Sequence, residues 1–112
     1  MEDFVTFDLA KKLMEIGTTF PTKSYYDSDK MPIYSKFSNR GYIPRPTISQ
    51  VLKWLREEKK IHIQVLFACP PNRWEYVTIR TTNCEMRGMQ ASFISYELAA
   101  IAGIEYVLDN LI

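Results

Sequence analysis

Between Ile48 and Leu55 the apolar residues fall at Ile48, Val51, Leu52 and Leu55, the one-sided stripe of an amphipathic helix. Pro46 pushes its predecessor toward extended geometry, which places the helix start after it. Thr47 and Gln50 have the spacing of a capping box, in which each side chain satisfies the other residue's amide. Trp54 borders the stripe, and Lys53 and Glu57 stand four apart on the outer face. Lys59 and Lys60 in the last turn complement the helix dipole. The period then drops from helical to two. Ile61, Ile63, Val65 and Phe67 alternate with His62, Gln64, Leu66 and Ala68, Pro70-Pro71-Asn72 makes a turn, and Trp74–Arg80 alternates again. Either Trp74, Tyr76 and Thr78 or Val77 and Ile79 face the core, and the pattern leaves both open.

Two further helices are expected. FVTFDLAKKLMEIG carries Phe7, Ala10, Leu13 and Met14 on one face, widened by Leu9 and Ile16. Thr6 is its N-cap, Asp8 sits in its first turn, and Gly17 is suited to a left-handed C′ position. Ser95 caps a last helix over 96–111, whose apolar residues (Leu98, Ala99, Ile101, Ala102, Tyr106, Leu108, with Ile112) cover much of its circumference. Gly103 inside it costs about 1 kcal/mol relative to Ala, a cost that a close approach to the sheet would explain. Thr22–Tyr26 and Ile33–Tyr34 are expected as short strands around an Asp27-Ser28-Asp29-Lys30 turn, with Pro32 restricted to an edge or a start position. Phe37–Pro46 and residues 81–94 read as loops. The expectation is one α+β domain over residues 1–112. A small antiparallel sheet of three or four strands packs against three helices, in the order α-β-(β)-α-β-β-α.

Composition narrows the function classes. The chain has 112 residues, enough for one core without staples or metals. Net charge is +1, so no global field draws in a polyanion. Acidic residues lead in 1–16 and in the last helix, basic ones in 23–46. Cys69 and Cys84 make no disulfide framework, Met1-Glu2-Asp3 opens no secretory leader, and no apolar run reaches membrane-spanning length, so a cytoplasmic protein is expected. His62 is the one histidine, and the cysteines form no CxxC pair. Glu57 and Glu58 point about 100° apart on their helix. No phosphate loop, GxSxG or HExxH occurs. No catalytic residue, metal or cofactor is expected, and the chain reads as non-enzymatic.

The frame FVTFDLAKKLMEIG, YYD, PTISQVLKWLREEKKIHI, WEY and SYELAAIAGIEYVLDNLI resembles a group of short uncharacterised proteins. They are common in Bacteroides and related gut bacteria and in their phages and mobile elements. The similarity runs nearly end to end and is carried most by P-T-x-x-x-x-x-K-W-L-R-E and S-Y-E-x-A-x-x-A-G-I-E. It implies an α+β domain of phage or mobile-element origin and carries no site residue.

Two surfaces bear on partners. Segment 23–46 interleaves tyrosines with cations. Tyr25, Tyr26, Tyr34, Lys36, Arg40, Tyr42 and Arg45 are the candidate interaction surface, a mixture that suits protein hot spots or single-stranded nucleic acid. The alternative is a winged-helix-like use of 47–80, with Ser49, Gln50, Lys53 and Arg56 facing nucleic acid. Glu57 and Glu58 oppose that reading, as does the proline-rich approach where a preceding helix would be needed. A small accessory or protein-interaction protein is the expected function, with a protein partner or self-association, and a nucleic-acid-binding regulator is the alternative.

Overall fold

A computed structural model describes residues 3–18, 20, 22, 24–27, 29–34, 42–69 and 72–112, with the backbone alone at Tyr34 and Arg87. Lys36 and Arg40 of the candidate surface lie outside the described residues. Among the described residues the protein is an α+β fold of three helices and six strands in two antiparallel sheets. It contains α1 (Phe7–Ile16), β1 (Ser24–Tyr26), β2 (Pro32–Tyr34), β3 (Ile43–Pro44), α2 (Ile48–Glu58), β4 (Ile61–Ala68), β5 (Arg73–Arg80), β6 (Glu85–Phe93) and α3 (Tyr96–Asn110). The contacts fall into two compact units, Met1–Gln50 and Val51–Ile112.

In the first unit the caps of α1 form as its sequence dictates. The Leu9 amide donates to Thr6 Oγ1, and Gly17 takes a left-handed conformation at the C-terminus. Leu9, Ala10 and Leu13 are buried, while Met14 and Ile16 are exposed. The helix stripe is therefore narrower than the apolar pattern suggested. The sheet has strand order β2-β1-β3. Its β1–β2 hairpin turns on Asp27, whose carboxylate accepts from the amides of Asp29 and Met31. Pro32 occupies the first position of β2, where its missing amide is tolerated. β3 is a two-residue strand inside the stretch read as a loop. A bridge between Phe4 and Thr47, with Val5 donating to the Pro46 carbonyl and Ile48 to that of Asp3, ties the N-terminal segment to the start of α2. The capping box is present: the Gln50 amide donates to Thr47 Oγ1 at 3.1 Å and the Thr47 amide to Gln50 Oε1 at 2.9 Å.

Along α2, Ile48, Val51 and Leu55 are buried and Leu52 half-buried, as the stripe predicts. Lys60 closes the helix, its Nζ donating to the Glu57 carbonyl.

The second unit is a meander, β4-β5-β6, with α3 on one face. The register Ile61↔Arg80 through Ala68↔Arg73 places Ile61, Ile63, Val65 and Phe67 on the same face as Thr78, Tyr76 and Trp74. That face receives α3. Tyr76 and Thr78 are buried there, and Val77 on the opposite face is buried as well, so β5 is a two-sided core strand. The helix buries Ala99, Ala100, Gly103, Ile104, Val107 and Leu108. Leu98 and Ile112, expected on the apolar surface, are exposed. A helix apolar around most of its circumference has no face that periodicity alone can pick out.

Residues 81–94 are not a loop: β6 occupies 85–93, after a Thr81–Cys84 turn. Its alternation was hidden by two bulges. Met89 and Met86 oppose Val77 and Ile79, and Phe93 and Gln90 oppose Trp74 and Tyr76, with one extra residue in each interval. Each bulge resets the period-two pattern. Each also contains a residue at positive φ, Gly88 at 80° and Ser92 at 76°.

Two glycines set how closely α3 lies on the meander. A Cβ on Gly103 would stand 2.9 Å from Ile63 Cγ2 and 3.2 Å from the Tyr76 ring. A Cβ on Gly88 would overlap the Tyr106 ring. Gly103→Ala is expected to lower stability by about 1 kcal/mol, because overpacking against a β-branched neighbour outweighs the gain in helix propensity. Gly88→Ala should cost more, about 2 kcal/mol, since strain at positive φ adds to the overlap. Urea denaturation ranks the variants; a Gly103→Ala protein more stable than wild type would show that this approach is not limiting.

Candidate interaction surface

Among the described residues of the tyrosine-rich segment, rings and cations meet one another and the rings of Phe4 and Phe7. In β1, Tyr25 and Tyr26 are both buried, and the Tyr26 hydroxyl donates to the Val5 carbonyl at 2.6 Å. Phe7 meets the Tyr26 ring edge-on at 5.6 Å. Arg45 follows β3 and folds back over the same cluster. Its guanidinium lies 3.9 Å from the centre of the Phe4 ring and 5.4 Å from that of Tyr26. Its Nη1 donates to Ser24 Oγ at 2.9 Å, and its backbone amide to the Ser24 carbonyl at 2.9 Å. Its Nε is buried with no hydrogen-bond partner among the described residues. Tyr25 and Tyr26 are thus part of the interior of the first unit, and the half-buried Arg45 packs over it. Tyr42 is 36% exposed, and Tyr34 contributes backbone to β2 opposite Ser24. A ring and a guanidinium look the same in sequence whether they meet each other or a partner.

The second unit presents a different surface. Phe67 and Trp74 form a cross-strand pair, with centroids 5.1 Å apart, and Tyr96 meets Trp74 edge-on at 5.6 Å. This chain of rings begins in half-exposed aromatic surface, with Phe67 at 51% and Tyr96 at 39%. Deeper in, Tyr76 contacts Phe93 and Tyr106. His62 is half-buried, opposite Ile79. Cys69 and Cys84 are free and exposed, each in a turn.

Phe67 also lies on an open sheet edge, whose polarity can be read from one hydrogen bond. The Thr81 amide donates to the Lys60 carbonyl at 2.8 Å, immediately beyond the Ile61–Arg80 pair. Bonded and non-bonded pairs alternate along an antiparallel ladder. His62, Gln64, Leu66 and Ala68 therefore direct their N–H and C=O groups at β5. Ile61, Ile63, Val65 and Phe67 direct theirs away from it. β4 is terminal in the sheet, and among the described residues these outward groups make no hydrogen bond. Sequence reading missed this edge because strand order is not written in the alternation. The available signal was that IHIQVLFA contains no Asp, Glu, Lys, Arg or Pro.

Two expectations follow. Arg45→Ala should destabilise the protein by about 1–2 kcal/mol through loss of the ring stacking and the Ser24 bond, with Arg45→Lys recovering only part, because an ammonium lacks the planar fork. An Arg45→Ala protein of unchanged stability in thermal denaturation would return this side chain to the surface. Burial, and secondarily the neighbouring Tyr106, raises the Tyr76 phenol above its ordinary 10.0. The unfolded chain therefore gives up this proton first. The contribution is intact below pH 10.0 and is lost as pH rises through the folded value. Stability measured by urea titration should fall above pH 10.0, less steeply in Tyr76→Phe.

Comparison with protein-family models, with curated proteins and with solved structures returns no match, so the site is argued from its own geometry.

Proposed function

We propose that this chain is a small, non-enzymatic accessory protein that binds another polypeptide through the outer edge of β4 and the aromatic end beside it. One observation carries the reading: β4 is eight residues long, unbroken in register and uncharged, and its outward backbone groups are unpaired among the described residues. Such an edge is a template for an added strand, which gains main-chain hydrogen bonds and side-chain contacts on both faces. Half-exposed Phe67 and Tyr96 supply aromatic surface of the kind that anchors interfaces. Descent from a phage or mobile element, supported by the sequence frame described above, fits a short accessory chain. Free Cys69 and Cys84 are compatible with a reducing cytoplasm, and among the described residues no helix is long and apolar enough to cross a membrane.

A nucleic-acid-binding reading is favoured by one feature, the exposure of Ser49, Lys53 and Arg56 on α2; the neighbouring Glu57 and Glu58 are equally exposed and repel phosphate. The two readings separate in one pair of measurements. Fluorescence anisotropy with labelled duplex and single-stranded DNA at low salt should show no binding. Polypeptide capture by the immobilised protein should be lost in Gln64→Lys, which charges the exposed edge. Salt-sensitive DNA binding that Lys53→Ala and Arg56→Ala abolish would replace the interaction reading with the regulatory one.

A further inference from the structure

We infer that the strand received by β4 is β4 of a second copy of this chain, so that two meanders join across a two-fold axis into one continuous six-stranded sheet. The inference rests on the interaction reading above and names its partner. The first argument is the asymmetry between the sheet's two edges. β6, the far edge, breaks register twice, holds Gly88 and Ser92 at positive φ, and carries Glu85 and Arg87. Bulges and charges are the usual means by which an edge is kept from pairing. β4 has neither, over its whole length.

The second argument is self-complementarity. A two-fold axis perpendicular to the sheet sets β4 antiparallel to its copy and keeps like faces on the same side. Residues opposite one another must then share parity. The two registers that overlap most of the strand are centred on Gln64 and on Val65. In the first, Ile63 faces Val65 of the copy and Ile61 faces Phe67. In the second, Val65 faces itself and Ile63 faces Phe67. Either way the outward amides and carbonyls of Ile61, Ile63, Val65 and Phe67 find partners of the same set. Their apolar side chains run on across the axis, and no like charges meet. The exposed Phe67 ring gains an aliphatic neighbour. A foreign strand selected by charge would have nothing on this edge to select it.

Sedimentation equilibrium over a concentration series tests the inference on the full chain. Wild type is expected to shift from the mass of one chain to twice that mass, and amide hydrogen exchange at Val65 and Phe67 should slow as the dimer forms. Gln64→Lys sets like charges at or beside the axis and should remain monomeric at every concentration. Val65→Pro removes an outward amide that β5 does not use, and should do the same. Circular dichroism and urea denaturation establish that each variant is folded, and Gln64→Lys, a change at an exposed side chain, stands in if the proline variant is not. A wild-type monomer throughout, or a dimer that persists in folded Gln64→Lys without protection at Val65 and Phe67, overturns self-pairing. A wild-type monomer that still captures another polypeptide, with capture lost in Gln64→Lys, overturns self-pairing while leaving the interaction reading in place.

Discussion

The close approach of α3 to the meander governs the second unit. Gly103 lets the helix backbone settle against Ile63 and Tyr76, and Gly88 lets β6 pass beneath the Tyr106 ring. A glycine inside a helix gives up about 1 kcal/mol of propensity; here the absent methyl is what permits contact between helix and sheet. Once α3 lies at this depth, the odd-numbered residues of β4 are committed to the helix face. Tyr76 and Thr78 are then enclosed, and the ring chain from Tyr106 through Tyr76 and Phe93 has its depth set. The shoulder of that arrangement is Phe67, Trp74 and Tyr96, where the cover thins and aromatic surface opens to solvent.

The first unit uses aromatic residues differently. Its core takes in a tyrosine hydroxyl and is flanked by a half-buried guanidinium. Tyr26 donates its hydroxyl to the Val5 carbonyl, and the Arg45 guanidinium lies over the Phe4 ring with its Nη1 donating to Ser24 Oγ. Burial of such groups is tolerable where they meet complementary ones: the Tyr26 hydroxyl meets a carbonyl, and the Arg45 guanidinium meets two rings and one hydroxyl, while its Nε has no hydrogen-bond partner among the described residues. Of the tyrosine and arginine content that suggests a recognition surface in sequence, Tyr25 and Tyr26 are buried and Arg45 is half-buried against Tyr26. What stands open in the second unit is the backbone edge of β4, whose amides and carbonyls are the same for every residue type except proline.

Much of this was legible in advance, for local reasons. Thr6, Thr47–Gln50 and Ser95 cap their helices because a hydroxyl or amide reaches only its own first turn. The period change after Lys60 marks the start of β4, and Asp27 closes its turn with its own carboxylate. The stripe of α2 is buried as its spacing requires. β6 escaped notice because two bulges reset its parity, and the face of α3 escaped because nearly every position on it is apolar.

By itself, then, the sequence determined the caps, the turns, the helix–strand periods and the α+β class, since these depend on residues within a few positions of each other. Tertiary structure alone decided which side of β5 meets α3, that Arg45 folds over the ring of Phe4 at the other end of the first unit's sequence, and that β4 rather than β5 stands at an open edge. Each is a pairing of distant segments. Alternation records that a strand has two faces, but only the neighbours that fold beside it decide which face is covered and which edge is left with unpaired amides.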